Sequence, residues 1–218
     1  VNAGGSALEY EKIKALNIDI NSSTSATITA TDELLFGDVS DSNLVKKDTV
    51  QGILNLVSNG LVPIKTVTVS SPVSSVDFVN GSGGVVLDGT YKNYMIAATN
   101  LIPSSDGATL FLRTSSNAGS SYDQAGSDYA YALYGFTSAN AILSSASQNN
   151  GQISLSASGL GTATGENYNA IVFLYNPSGT SVYPCVYFQI SHFNSDGNLA
   201  KLEGAGMRKA AADIDAIQ

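Results

Sequence analysis

The sequence holds one cysteine, one histidine and no tryptophan among 218 residues. With Cys185 alone, an intrachain disulfide is impossible, and a thiolate zinc cluster is argued against. A single His192 removes most metal-site and acid–base arrangements, so no metal and no cofactor is expected. Charged residues make up 13% of the chain, about half the usual share. Basic groups number 10 against 18 acidic ones, a formal charge of −8 that argues against a nucleic-acid partner. From Thr114 to Ala200 there is no Lys or Arg, while Asp123, Asp128, Glu166 and Asp196 are present. That surface disfavours anionic polymers and suits neutral sugars or proteins. No apolar run approaches a membrane span, so no membrane insertion is expected. P-loop, dinucleotide, GxSxG and zinc motifs are absent as well.

What is present is 43% hydrophobic residues, 21 glycines and many Ser, Thr and Asn, the composition of a β-rich, secreted or virion-type protein. Aromatics divide the chain. Residues 1–70 hold one Tyr of eleven (Tyr10) and one Phe of seven (Phe36), so the large core belongs to residues 71–218. Ser70, Ser71 and Pro72 are the expected junction.

In the first part, Tyr10 to Ile20 reads as a strand or a short helix. Leu34 to Phe36 and Leu44 to Lys47 read as a hairpin around the turn Ser40 to Asn43. A helix of about three turns follows, since Val50, Ile53, Leu54 and Val57 fall on one stripe. Asp48 fits its N-cap with Gln51 as capping-box partner, and Gly60 fits a left-handed cap. So thin a core favours oligomerisation, with that stripe buried on the hairpin or on other chains.

The second part reads as short strands between Gly/Ser/Asn turns. They are Val62 to Val69, Val73 to Val79, Tyr91 to Thr99, Ala108 to Thr114, Tyr129 to Thr137, Gln152 to Ala157, Tyr168 to Tyr175 and Val182 to Phe193. The expected fold is mostly β: a hairpin-plus-helix module, then an antiparallel, jelly-roll-like β-sandwich. Ala170 to Tyr175 is continuously apolar and predicts a strand buried on both faces. In Val182 to His192 the even row faces the core, and the odd row, with Tyr183, Cys185 and Tyr187, is amphipathic. Pro184 marks an edge or a bulge.

Candidate chemistry is sparse. Cys185 and His192 could form a nucleophile–base pair, but their odd separation places them on opposite faces of one strand. Asp123 and Asp128, in the loop from Ser120 to Tyr129, could serve as a carboxylate pair, as a sugar-binding Tyr/Asp/Ser loop, or as a solvated loop. Asn194 to Asn198 has the look of a calcium loop, but its Gly is misplaced and Ala205 stands where a bidentate Glu belongs, so a turn is expected. Asp38 with Asp41, and Asp213 with Asp215, are expected on exposed turns.

Thr29 to Leu54, with its Asp-Glu-Leu-Leu-Phe-Gly-Asp strand, Ser/Asp turn, Leu-Val-Lys-Lys-Asp-Thr strand and short helix, resembles a module of tailed-bacteriophage tail fibres and related virion proteins. Val1 to Tyr10 resembles the segment after fibre-shaft repeats. Ser74 to Phe78, Tyr91 to Tyr94, Leu101 to Gly107, Leu110 to Ser115, Asp128 to Tyr131 and Ala210 to Ile217 are similar to C-terminal β-domains of such fibres, notably from phages of marine bacteria. The stretches cover most of the chain, and none is a catalytic motif. Such chains continue into further strands, so truncation at both ends and an unpaired sheet edge are expected here.

The resemblance implies an extracellular virion fibre protein, not an enzyme. Its partners would be itself as a homotrimer, other virion tail proteins, and a host-surface glycan or protein bound non-covalently. On this reading Tyr122, Asp123, Asp128 and Tyr129 are the candidate receptor-binding residues. Val50, Ile53, Leu54, Val57, Tyr183 and Tyr187 are the candidate oligomer interface. A connector, adaptor or head fibre without receptor binding is the alternative, and a polysaccharide depolymerase a further one.

Overall fold

The computed structural model describes residues 29–38, 44–56 and 60–218. Its contacts divide the chain into two units, Val1–Val62 and Pro63–Gln218. The lead-in to Ile20, the turn Ser40 to Asn43 and Val57 lie outside the described residues.

In the first unit, β1 (Glu33–Asp38) pairs antiparallel with β2 (Leu44–Thr49), and α1 (Val50–Leu56) follows directly. The hairpin is longer than its apolar residues alone predict. Lys47 reaches across to Glu33, with Nζ 2.8 Å from the carboxylate. The helix starts one residue later than expected. Thr49, not Asp48, is its N-cap, because Thr49 Oγ1 accepts the Gly52 N–H at 3.0 Å. Val50 and Gln51 donate their N–H groups back to the carbonyls of Asp32 and Ala30. This ties the first turn of α1 to the start of β1. Gly60 does not adopt the left-handed conformation expected of a cap.

The second unit is an antiparallel β-sandwich. Its large layer has six strands in the order β4-β10-β11-β12-β7-β8. These are β4 (Asn93–Leu101), β7 (Tyr129–Thr137), β8 (Ile142–Asn150), β10 (Tyr168–Tyr175), β11 (Cys185–Phe193) and β12 (Leu199–Arg208). Facing it are two small sheets. One is β3 (Phe78–Val79), β13 (Ala216–Ile217) and β6 (Thr114–Ser115), with β13 central; the other is β5 (Phe111–Leu112) with β9 (Ile153–Ser154). Leu133, Val172, Phe188 and Leu202 from the large layer share one core with Leu112, Ile153 and Ile217 from the small sheets. Full burial of such side chains contributes about 1.5–3 kcal/mol each.

Glycine makes that core possible on β12. A Cβ at Gly204 would lie 2.6 Å from the Phe188 ring, and one at Gly206 would lie 2.8 Å from Ile153. Both glycines clear space for a large neighbour on the inner face. In β11 the even residues Val186, Phe188, Ile190 and His192 are buried, as the alternation predicts. Pro184 precedes the strand, and its carbonyl accepts the Arg208 N–H.

Two further expectations fail. Ala170 to Tyr175 is buried on one face only, with Ile171 39% and Tyr175 41% exposed. The run is continuously apolar because the outward face is apolar too. Val62 to Val69 forms no strand, and residues 61–70 make no ladder with any of the described residues.

Candidate interaction surface

The loop between β6 and β7 is built from the inside. Tyr129 is fully buried, and its hydroxyl accepts the Thr114 N–H at 2.8 Å and donates to the Asp123 carbonyl at 3.2 Å. Burial raises its phenol pKa. Tyr129 is therefore a core strut of the domain, with its ring enclosed and its hydroxyl committed to the loop. Asp123 is held by Arg208, with Oδ2 2.6 Å from Nε. Asp128 is turned onto its own loop, where Oδ2 accepts the Ala125 N–H at 2.7 Å. Tyr122 is half-buried; burial first, then the charges of Asp77 and Asp215, push its phenol up to about 12. Asp123 and Asp128 line a cavity of about 60 Å³ with Arg208, Lys209 and Ala210. That is room for about two waters, not for a sugar ring.

Asp215 also departs from expectation. It is no exposed turn residue; it is partly buried and accepts the Ala118 N–H at 2.8 Å. Ala118 and Gly119 both have positive φ, and this contact holds that strained corner.

Cys185 and His192 lie on opposite faces of β11, as their spacing requires. His192 is buried on Tyr168, with ring centroids 5.8 Å apart, and its Nε2 lies 3.2 Å from Ser158 Oγ. Burial lowers its pKa. Asn194 to Asn198 is the tight turn between β11 and β12. Asn194 Oδ1 accepts the N–H groups of Asp196 and Asn198, so that oxygen serves the backbone. Among the described residues no cluster of three His, Cys, Asp or Glu could hold a metal ion.

The surface that stands out is the outward face of the six-stranded layer. Cross-strand partners share a face. Met95 lies opposite Phe173, Phe173 opposite Tyr187, and Tyr187 opposite Ala205. In the next row Tyr175 lies opposite Cys185, and Cys185 opposite Met207. Farther along, Tyr134 and Phe136 project from β7, with rings in edge contact at 6.1 Å, and Ile142 projects from β8. Met95, Ile171, Tyr175, Met207, Tyr134, Phe136 and Ile142 are all exposed. These exposed apolar side chains form two groups on one face, parted by Gln189, Lys201 and Glu203, and so many on one face is unusual for a monomer.

Charge is nearly absent there. Of the three ionic residues in these strands, Arg208 points inward. The other two, Lys201 and Glu203, neutralise each other at 3.0 Å. Lys201, with help from Tyr134 and Tyr187, holds the Glu203 carboxyl below its ordinary pKa. Tyr187 belongs to this face. Tyr183 is exposed just before β11. In the first unit, Val50 and Ile53 are partly buried.

Periodicity pointed to β11 as one contributor to this face. The parts from β7, β8 and β12 escaped it, because Ser, Ala and Gly dilute their alternation. Comparison with protein-family models, with curated proteins and with solved structures finds no match to this chain.

Proposed function

We propose that this chain is a virion fibre protein of a tailed phage, extracellular and non-enzymatic, that assembles with copies of itself and attaches to the host surface. The resemblance of its ordered stretches supports the virion reading. The apolar, charge-neutral outward face of the six-stranded layer carries the self-assembly. Chains of net charge −8 repel one another except where their surfaces are neutral, and this face is neutral. Burying Met95, Ile171, Tyr175 and Met207 between copies recovers the free energy that their exposure forgoes. A homotrimer is the arrangement that the resemblance implies, with Val50, Ile53 and Leu54 of α1 as a second contact. Attachment would be non-covalent, to a neutral glycan or a protein, and weak single sites suffice when copies are clustered.

A connector, adaptor or head fibre is the second reading. It is favoured by the inward use of Tyr129 and Asp123, which leaves the loop between β6 and β7 fewer groups for a receptor.

Native mass spectrometry of the purified chain tests the assembly. A discrete oligomer is expected, and Met207→Glu should convert it to monomer with its thermal midpoint little changed. A monomer at high concentration counts against a fibre. Cryo-EM of the virion separates the two readings: a projecting fibre supports attachment, and a chain wedged among other proteins supports the connector.

A further inference from the structure

Residues 66–71 are written as a strand and join none of the described strands. Thr66, Val67, Thr68 and Val69 are all β-branched, the residues that pleated sheets favour. The stretch from Leu61 to Ser70 contains no turn or bend. Yet from Thr66 to Val76 no backbone N–H or carbonyl makes a hydrogen bond with a described residue. Both faces are open: Val67 and Val69 are 44% and 42% exposed, and Thr66 and Thr68 are exposed as well. The segment is anchored at its start, where Ile64 packs on the core and Lys65 Nζ donates to the Gly83 carbonyl at 2.9 Å. Beyond Ser71 the chain turns back. Val67, Val69, Val73 and Val76 then line an open cleft of about 330 Å³ that no described side chain fills.

We propose that Thr66–Ser71 is a strand completed between copies of this chain, pairing about a two-fold axis with the same segment of a second copy, a contact that joins copies two by two and so adds to the homotrimer rather than forming its three-fold. An unpaired row of N–H and carbonyl groups flanked by β-branched side chains is a template for another chain. The occupant follows from charge. Residues 66–76 contain no Asp, Glu, Lys or Arg, in a chain of net charge −8. The one carboxylate lining the cleft, Asp77, already accepts from Ser75 Oγ at 3.2 Å and from Gln218 Nε2 at 3.1 Å, so a basic partner finds little to pair with here, whereas a second copy meets a largely neutral, self-complementary surface. Pairing satisfies the bare backbone and brings valines from both copies into the cleft. This rests on the proposed self-association and specifies a second contact in it, apart from the sheet face.

The test combines hydrogen exchange with Thr68→Pro on the full chain. Proline removes one N–H that has no intrachain partner, and the preceding residue keeps an extended conformation. In the oligomer the alternate amides that face the partner strand, those of Thr66, Thr68 and Ser70, should exchange at least about a hundredfold more slowly than in an open chain. Thr68→Pro should weaken association at least about tenfold, while Thr68→Val retains it. If the wild type assembles and Met207→Glu dissociates it, but these amides exchange freely, the strand pairing is overturned and the sheet-face assembly stands. If the wild type is monomeric at every concentration, both fall.

Discussion

The guanidinium of Arg208, buried at the end of β12, meets the carboxylate of Asp123 with Nε 2.6 Å from Oδ2. The same side chain reaches the Ala212 carbonyl through Nη1 and Ser116 Oγ through Nη2. One residue thus fastens the loop before β7 and the segment after β12 to the sheet. Arg208→Met removes the cation and leaves a partly buried carboxylate. It should cost about 2–3 kcal/mol, or about 5–10 °C in thermal midpoint, by calorimetry. A midpoint within a degree of wild type would show that the pair contributes nothing net.

Tyr129→Phe keeps the ring and removes the hydroxyl. The buried Thr114 N–H then loses its acceptor, at a cost of about 1–3 kcal/mol in chemical denaturation. Cell attachment per folded molecule should be unchanged, because the residue is enclosed. Lost attachment at full stability would return Tyr129 to the receptor site.

His192 gives the domain a pH dependence. Its folded pKa lies below the unfolded value of about 6.5 because burial disfavours the charged ring. Above that pH the ring is neutral in both states and contributes no slope. As pH falls below about 6.5 the unfolded chain takes the proton first, so stability declines until the folded ring also titrates. Urea midpoints measured from pH 7.5 to 5 should fall more steeply for wild type than for His192→Gln. Parallel curves would refute this.

Gly204→Ala adds one methyl group where Leu133, Phe188 and the Ala132 carbonyl already crowd the space. Overpacking of this kind costs about 1–3 kcal/mol, read as a lower thermal midpoint. Cys185→Ser, at a partly exposed position of the neighbouring strand, should stay within about 0.5 kcal/mol of wild type and serves as control.

The β-sandwich class was legible from short, turn-bounded strands, and β7 and β10 have the very ends expected of them. β8 was not legible, because Ser144, Ser145, Ser147 and Gln148 supply little contrast between its two faces. β12 was hidden by Gly204 and Gly206, which read as turn residues but exist to seat Phe188 and Ile153. The double burial expected of Ala170 to Tyr175 failed because sequence cannot tell an apolar face turned inward from one left open. In the candidate loop, residue type suggested recognition for Tyr129, but only the fold shows its hydroxyl committed to Thr114.

The position of β13 bears on the order in which the domain folds. Ala216 and Ile217 form the middle strand between β3 and β6, which come much earlier in the chain. During synthesis Phe78 and Thr114 emerge long before Ala216, and no strand joins them until it arrives. Closure of that sheet is a late, long-range event, so folding of this domain should be slow for its size and gated by the arrival of Ala216 and Ile217.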